Sequence, residues 1–159
     1  LLSEMALEAA TRCTEPAPYT RLHVVCRTTR GISAAVVQAL VAAAPAALFI
    51  SDHNQYLPLH YACENGADPA VVACLLHANP AAASLLTREK DTALSLACAA
   101  NHSVEKVERL LQANPAATLQ TNDYGFLPVH CICWAYQASA AMVQALCHAC
   151  PVAVTGQTI

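Results

Sequence analysis

The sequence predicts an all-α fold, a short solenoid of four stacked helix-turn-helix repeats. Three observations carry that prediction. Leu22-His23-Val24-Val25-Cys26 is echoed by Leu59-His60-Tyr61-Ala62-Cys63, Leu94-Ser95-Leu96-Ala97-Cys98 and Val129-His130-Cys131-Ile132-Cys133, with 37, 35 and 35 residues between the closing cysteines. An apolar run follows each motif and ends at Pro45, Pro80, Pro115 or Pro151, at steps of 35, 35 and 36. Two markers that stay in phase define a structural unit, and a unit of this size must stack on neighbours to bury its apolar face. Alanine supplies much of the 56% hydrophobic share, and its small side chain and high helix propensity suit closely layered helices.

The second unit shows the grammar of all four. Asp52-His53-Asn54-Gln55 is a turn-forming cluster. Leu57-Pro58-Leu59-His60 then begins a helix, with proline tolerated in its first turn, and Leu59, Ala62 and Cys63 share one face. Gly66 ends that helix in the left-handed region. Asp68 caps the next helix with Pro69 at its first position, and Val71, Val72, Leu75 and Leu76 give it an apolar stripe. Asn79 before Pro80 stops it, because a residue preceding proline is pushed out of the α region. In the other units Asn101 replaces Gly66, and Ser33, Ser103 and Ser139 stand in for the Asp68 cap. The stripe recurs as Val36-Val37-Leu40, Val104-Val107-Leu110-Leu111 and Met142-Val143-Leu146-Cys147.

These features resemble the ankyrin repeat, on Pro58-Leu59-His60-Tyr61-Ala62-Cys63 and on Asn122-Asp123-Tyr124-Gly125 leading to Pro128-Val129-His130. The resemblance implies a right-handed solenoid of four ankyrin-like repeats with finger-like turns, and His23, His60 and His130 bonded in the turn region between neighbouring units. Several departures mark a divergent form. The period exceeds the usual 33 residues by about two. Leu57 and Leu127 stand before the Pro-Leu-His motif where threonine is usual. The third unit has Lys90 for the turn glycine and Ser95 for the motif histidine, which predicts altered loop geometry over Thr87–Asp91. The repeats are expected over 20–152, as units 20–50, 51–85, 86–120 and 121–152. Residues 1–19 read as an N-terminal capping helix or linker, helical over 3–14 with Ser3 as its cap. Residues 153–159 read as the start of a further segment, so the chain is expected to be a fragment of a longer protein.

Composition narrows the function classes. Charged residues make up 12% and the net charge is −3, with Lys90 and Lys106 as the only lysines. That leaves no basic face, so a nucleic-acid partner is not expected. The most lipid-like stretch, Ala34–Ile50, is broken by Gln38 and Pro45 and falls short of the roughly 20 apolar residues of a membrane span. Any membrane association is expected only indirectly, through a complex. No nucleophile elbow, phosphate loop or metalloprotease helix is present, so neither catalysis nor a cofactor is expected.

The nine cysteines raise a metal or redox reading. Cys131 and Cys133, with Cys147 and Cys150 and the adjacent His130 and His148, imitate a zinc-ligand inventory. Residues two apart on a helix face nearly opposite ways, however, so Cys131 and Cys133 do not readily share one ion. Cys26, Cys63, Cys98 and Cys133 hold one repeat position, which predicts small buried apolar thiols. An odd cysteine count without regular pairing fits a reducing intracellular compartment better than a disulfide scaffold. His53, His77, His102 and His148 share no phase and read as solvated.

The aromatic residues are more informative. Tyr56, Tyr124 and Phe126 lie on or beside the turns, and Trp134 follows Cys133 at the position of Glu64 and Ala99. In ankyrin-like repeats these are positions of the concave binding face. The resemblance therefore implies a protein-interaction module contacting its partner through His53, Asn54, Tyr56, Arg88, Glu89, Asp91, Asp123, Tyr124, Phe126 and Trp134. Two alternatives stay open: a structural subunit of a large multiprotein complex, with or without membrane association, and the Cys/His metal or redox module. The same aromatics equally suit sealing a next repeat.

Overall fold

The computed structural model describes residues 19–28, 31–101, 103–135 and 139–149. The expected N-terminal helix, the segment 153–159, His102 and Cys150 lie outside them. Among the described residues the fold is all helical. The helices run as α1 (Arg21–Arg27), α2 (Ala34–Ala43), α3 (Pro58–Glu64), α4 (Pro69–Ala78), α5 (Ala93–Ala100), α6 (Val104–Ala113), α7 (Pro128–Trp134) and α8 (Ala140–Ala149). The short first helices α1, α3, α5 and α7 stack on one another in one row, and the longer second helices α2, α4, α6 and α8 in another. The core lies between the two rows. Leu59, Ala62 and Cys63 of α3 meet Val71, Val72, Leu75 and Leu76 of α4 there, all buried.

Local signals set most of the boundaries. Gly66 takes φ +77 and Asn101 φ +49, so each first helix of the two central units ends in the left-handed region. The Asp68 carboxylate accepts a hydrogen bond from the Ala70 N–H at 2.8 Å, the N-cap contact its side chain suits. Ser33 and Ser103 sit at the same position with extended backbone, but neither hydroxyl makes a cap bond. They start their helices by conformation alone.

The prolines that follow the first three second helices do more than stop a helix. Pro45, Pro80 and Pro115 each open a 3-10 helix, Pro45–Phe49, Pro80–Ser84 and Pro115–Leu119, using the fixed φ of proline at the first position. The side-chain amide of Asn79 donates back to the Leu48 carbonyl of the preceding unit at 3.2 Å. Asn114 donates in the same way to Ala83 at 3.2 Å.

One core position departs from the apolar pattern. Lys106 replaces Val71 and Met142 in register and is just 2% exposed. Its Nζ finds no hydrogen-bond partner among the described residues. Burial lowers its pKa, with Cys63 and Asp68 pulling the other way.

Candidate partner-binding face

Each unit after the first begins with a finger. The second finger closes by Asp52 N–H to the Tyr56 carbonyl (3.0 Å) and Gln55 N–H to the Asp52 carbonyl (3.0 Å). The third repeats this with Thr87 to Asp91 (2.9 Å) and Lys90 to Thr87 (2.9 Å), the fourth with Asn122 to Phe126 (3.1 Å) and Gly125 to Asn122 (2.9 Å). The residue at the bend has φ +60 at Gln55, +61 at Lys90 and +76 at Gly125. The altered loop expected over Thr87–Asp91 is therefore not found: Lys90 adopts the glycine-like angle, as Gln55 does.

A short polar side chain at the finger's first position holds each loop. Asp52 Oδ1 accepts from the Asn54 and Tyr56 N–H groups at 2.9 and 2.8 Å. Asn122 Oδ1 accepts from Tyr124 and Phe126 at 3.1 and 3.0 Å, and Thr87 Oγ1 accepts from Asp91 at 3.1 Å. Such local side-chain to backbone bonds give turns a defined shape. Consecutive fingers are then joined: Arg88 N–H donates to the Asn54 carbonyl (2.8 Å) and Asp123 N–H to the Glu89 carbonyl (2.9 Å). Lys90 pairs with Asp123 at 2.7 Å, with both side chains well exposed, which adds little energy.

The motif histidines lock finger to helix. Leu57 N–H donates to His60 Nδ1 at 3.0 Å, which leaves the proton on Nε2 to donate to the Leu85 carbonyl at 3.1 Å. His23 bonds Thr20 and the Tyr56 carbonyl in the same manner, at 3.1 and 3.0 Å. Burial, partly opposed by the carbonyl bond, lowers His60 to a pKa of about 4. It lowers His23 as well. In the third unit Thr92 and Ser95 do this work: Ser95 N–H donates to Thr92 Oγ1 at 3.0 Å, and Ser95 Oγ donates to Asp91 at 3.0 Å. His130 differs. Leu127 N–H still donates to its Nδ1 (3.1 Å), but the ring is exposed, because no further finger covers it among the described residues.

The cysteines divide in the same way. Cys26, Cys63 and Cys98 are buried, and burial pushes the Cys63 thiol up to about 12 and raises Cys26 and Cys98 too. Such thiols stay protonated and act as small apolar fillers. Cys133 was expected with them but is exposed, again because it faces the end of the described stack. No three His, Cys, Asp or Glu side chains among the described residues are grouped to hold a metal ion.

Of the residues singled out in the sequence, Asn54, Tyr56, Arg88 and Glu89 line one cavity of about 290 Å3, together with Tyr61 and Glu64 of α3. Phe126 and Trp134 meet at 5.8 Å between ring centroids and line a second cavity, about 410 Å3, with Gly125, His130 and Cys133. His53, Asp123 and Tyr124 are exposed at the finger tips, outside both cavities. Asp91 is engaged within the stack instead, accepting from Ser95 and, at 3.1 Å, from the Asn122 side chain. Tyr61 and Glu64 were missed as site residues, although the 35-residue register that places Trp134 marks Glu64 as its equivalent two units earlier.

A family model described as ankyrin repeats (many copies) matches residues 40–97. Over those residues the chain is similar to ankyrin repeats. The match takes in the whole second unit with the end of the first and the start of the third, and α7 with α8 repeats the same helix pair in the fourth. No curated protein matches the chain. Ankyrin repeats are generally protein-protein interaction modules and typically not enzymes.

Proposed function

We propose that this ankyrin-repeat chain is a non-catalytic interaction module that holds a partner protein on the face made by its fingers and first helices. The observation that carries this reading is the Phe126–Trp134 pair. Trp134 is 83% exposed and Phe126 39%, with their rings 5.8 Å apart, on a finger and helix whose equivalents in the second unit line a cavity. Exposed aromatics at such positions are common anchors of binding energy, each worth about 2 kcal/mol or more when truncated. The hydrogen-bonded fingers supply preorganisation, so little ordering entropy is lost when a partner arrives.

Affinity capture from native lysate tests it, comparing the wild type with a folded Phe126→Ala/Trp134→Ala variant. Loss of one dominant partner supports the reading, and retention of every partner overturns it. A second reading, a structural subunit whose neighbour stacks on the last unit, is favoured by His130 and Cys133. Both are exposed at positions whose equivalents His60 and Cys63 are buried. In that case His130→Ala, rather than the aromatic pair, abolishes assembly.

A further inference from the structure

The cavity between the second and third fingers and α3 is small and chemically specific. Its volume of about 290 Å3 lies at the lower edge of what a whole small-molecule ligand needs, roughly 300–1,000 Å3, and suits one long side chain. Two walls are aromatic. Tyr56 and Tyr61 bring their ring centroids within 4.9 Å, and the Tyr61 hydroxyl is anchored to Asp52 Oδ2 at 2.6 Å. Asn54, Glu64, Glu89 and one cation, Arg88, complete the lining, and neither glutamate forms an ion pair among the described residues. Asp52 and Asp91 add negative charge to the same region, felt by both Tyr56 and His60. Lys90 is taken up by Asp123, so Arg88 alone offsets these carboxylates on the two fingers. The Glu64 carboxyl is pushed above its usual range, first by burial and then by the charges of Asp91 and Glu89.

We propose that this groove receives a lysine or arginine side chain from a basic segment of the partner protein. The proposal rests on the finger-face reading above and adds to it the chemistry of the partner. A cation set against the tyrosine rings gains from their quadrupoles, and it relieves the mutual repulsion of Glu64, Glu89 and Asp91. A chain of net charge −3 would also steer such a segment towards itself at low ionic strength.

The test is a titration of the isotope-labelled chain with a blocked lysine–glycine peptide at low salt, followed by NMR. Expected are shifts concentrated at Tyr56, Tyr61, Glu64 and Glu89, and none with a glutamate–glycine peptide. Glu64→Gln/Glu89→Gln should weaken the peptide about tenfold. Both glutamates are exposed, and circular dichroism checks that the variant folds. Arg88→Ala is the opposite arm and should tighten binding about threefold. Shifts scattered elsewhere, no binding of the lysine peptide, or unchanged affinity in the glutamate variant each overturn the proposal. The two readings fail separately. Partner capture that depends on Phe126 and Trp134 while the lysine peptide goes unbound leaves the finger face as the site and removes only its preference for a cation.

Discussion

Asn79 of one unit donates its side-chain amide to the carbonyl of Leu48 in the unit before, at 3.2 Å, and Asn114 repeats the bond to Ala83. Ala44 holds the equivalent place in the first described unit with nearly the same backbone angles, φ −145 and ψ 71 against −143 and 82 for Asn79. Asparagine is therefore not required by the backbone. Its role is the bond across the unit boundary.

Asn79→Ala leaves the Leu48 carbonyl without its partner and should cost about 1–3 kcal/mol. Urea denaturation of the two proteins measures it. A silent substitution would mean that apolar packing alone registers the repeats.

Lys106→Met should stabilise, by roughly 1–3 kcal/mol, since it replaces a buried ammonium that has no hydrogen-bond partner among the described residues with a side chain of similar length. The equivalent Val71 and Met142 show that the site accepts apolar groups. The lowered lysine pKa gives a second signature. The unfolded chain holds the proton more tightly, so wild-type stability rises with pH between the folded value and 10.5, and the variant lacks that rise.

His60 predicts the behaviour on the acid side. Its folded pKa of about 4 lies below the ordinary 6.5, so the neutral ring is the one the fold accepts. Its contribution is complete above pH 6.5 and is lost as pH falls to about 4. At 1.36 kcal/mol per unit the loss is about 3 kcal/mol. Denaturation at pH 7 and pH 4, with His60→Gln as the reference, isolates it from Glu64, whose raised pKa contributes with opposite sign. Equal pH dependence in both proteins refutes the assignment.

Gln55→Gly should stabilise the second finger. A side chain at φ +60 costs roughly 1–2 kcal/mol, and the larger unfolded-state entropy of glycine returns about half of that. A gain of about 0.5–1 kcal/mol in thermal or urea unfolding is expected. Gly125 already occupies the matching bend with φ +76.

Leu75→Ala tests the register of the helix pairs. Leu75 is buried between the two rows, and its truncation should cost about 2–5 kcal/mol by the same unfolding measurement.

The sequence by itself determined the period, the helix pairs, the left-handed stops at Gly66 and Asn101 and the cap at Asp68. Each of these is written in residues a few positions apart, or in the repetition of one pattern. The tertiary structure alone decided the rest. The amide of Asn79 finds a carbonyl 31 residues away, Ser33 and Ser103 hold cap positions without bonding, and Lys106 is buried in an apolar register. Glu64 and Tyr61 join Asn54, Arg88 and Glu89 around one cavity only when the third finger is laid on the second. His130 and Cys133 carry the same motif as His60 and Cys63 yet are exposed. The physical reason is that burial and hydrogen-bond satisfaction belong to neighbouring units, and a motif cannot state what is stacked upon it.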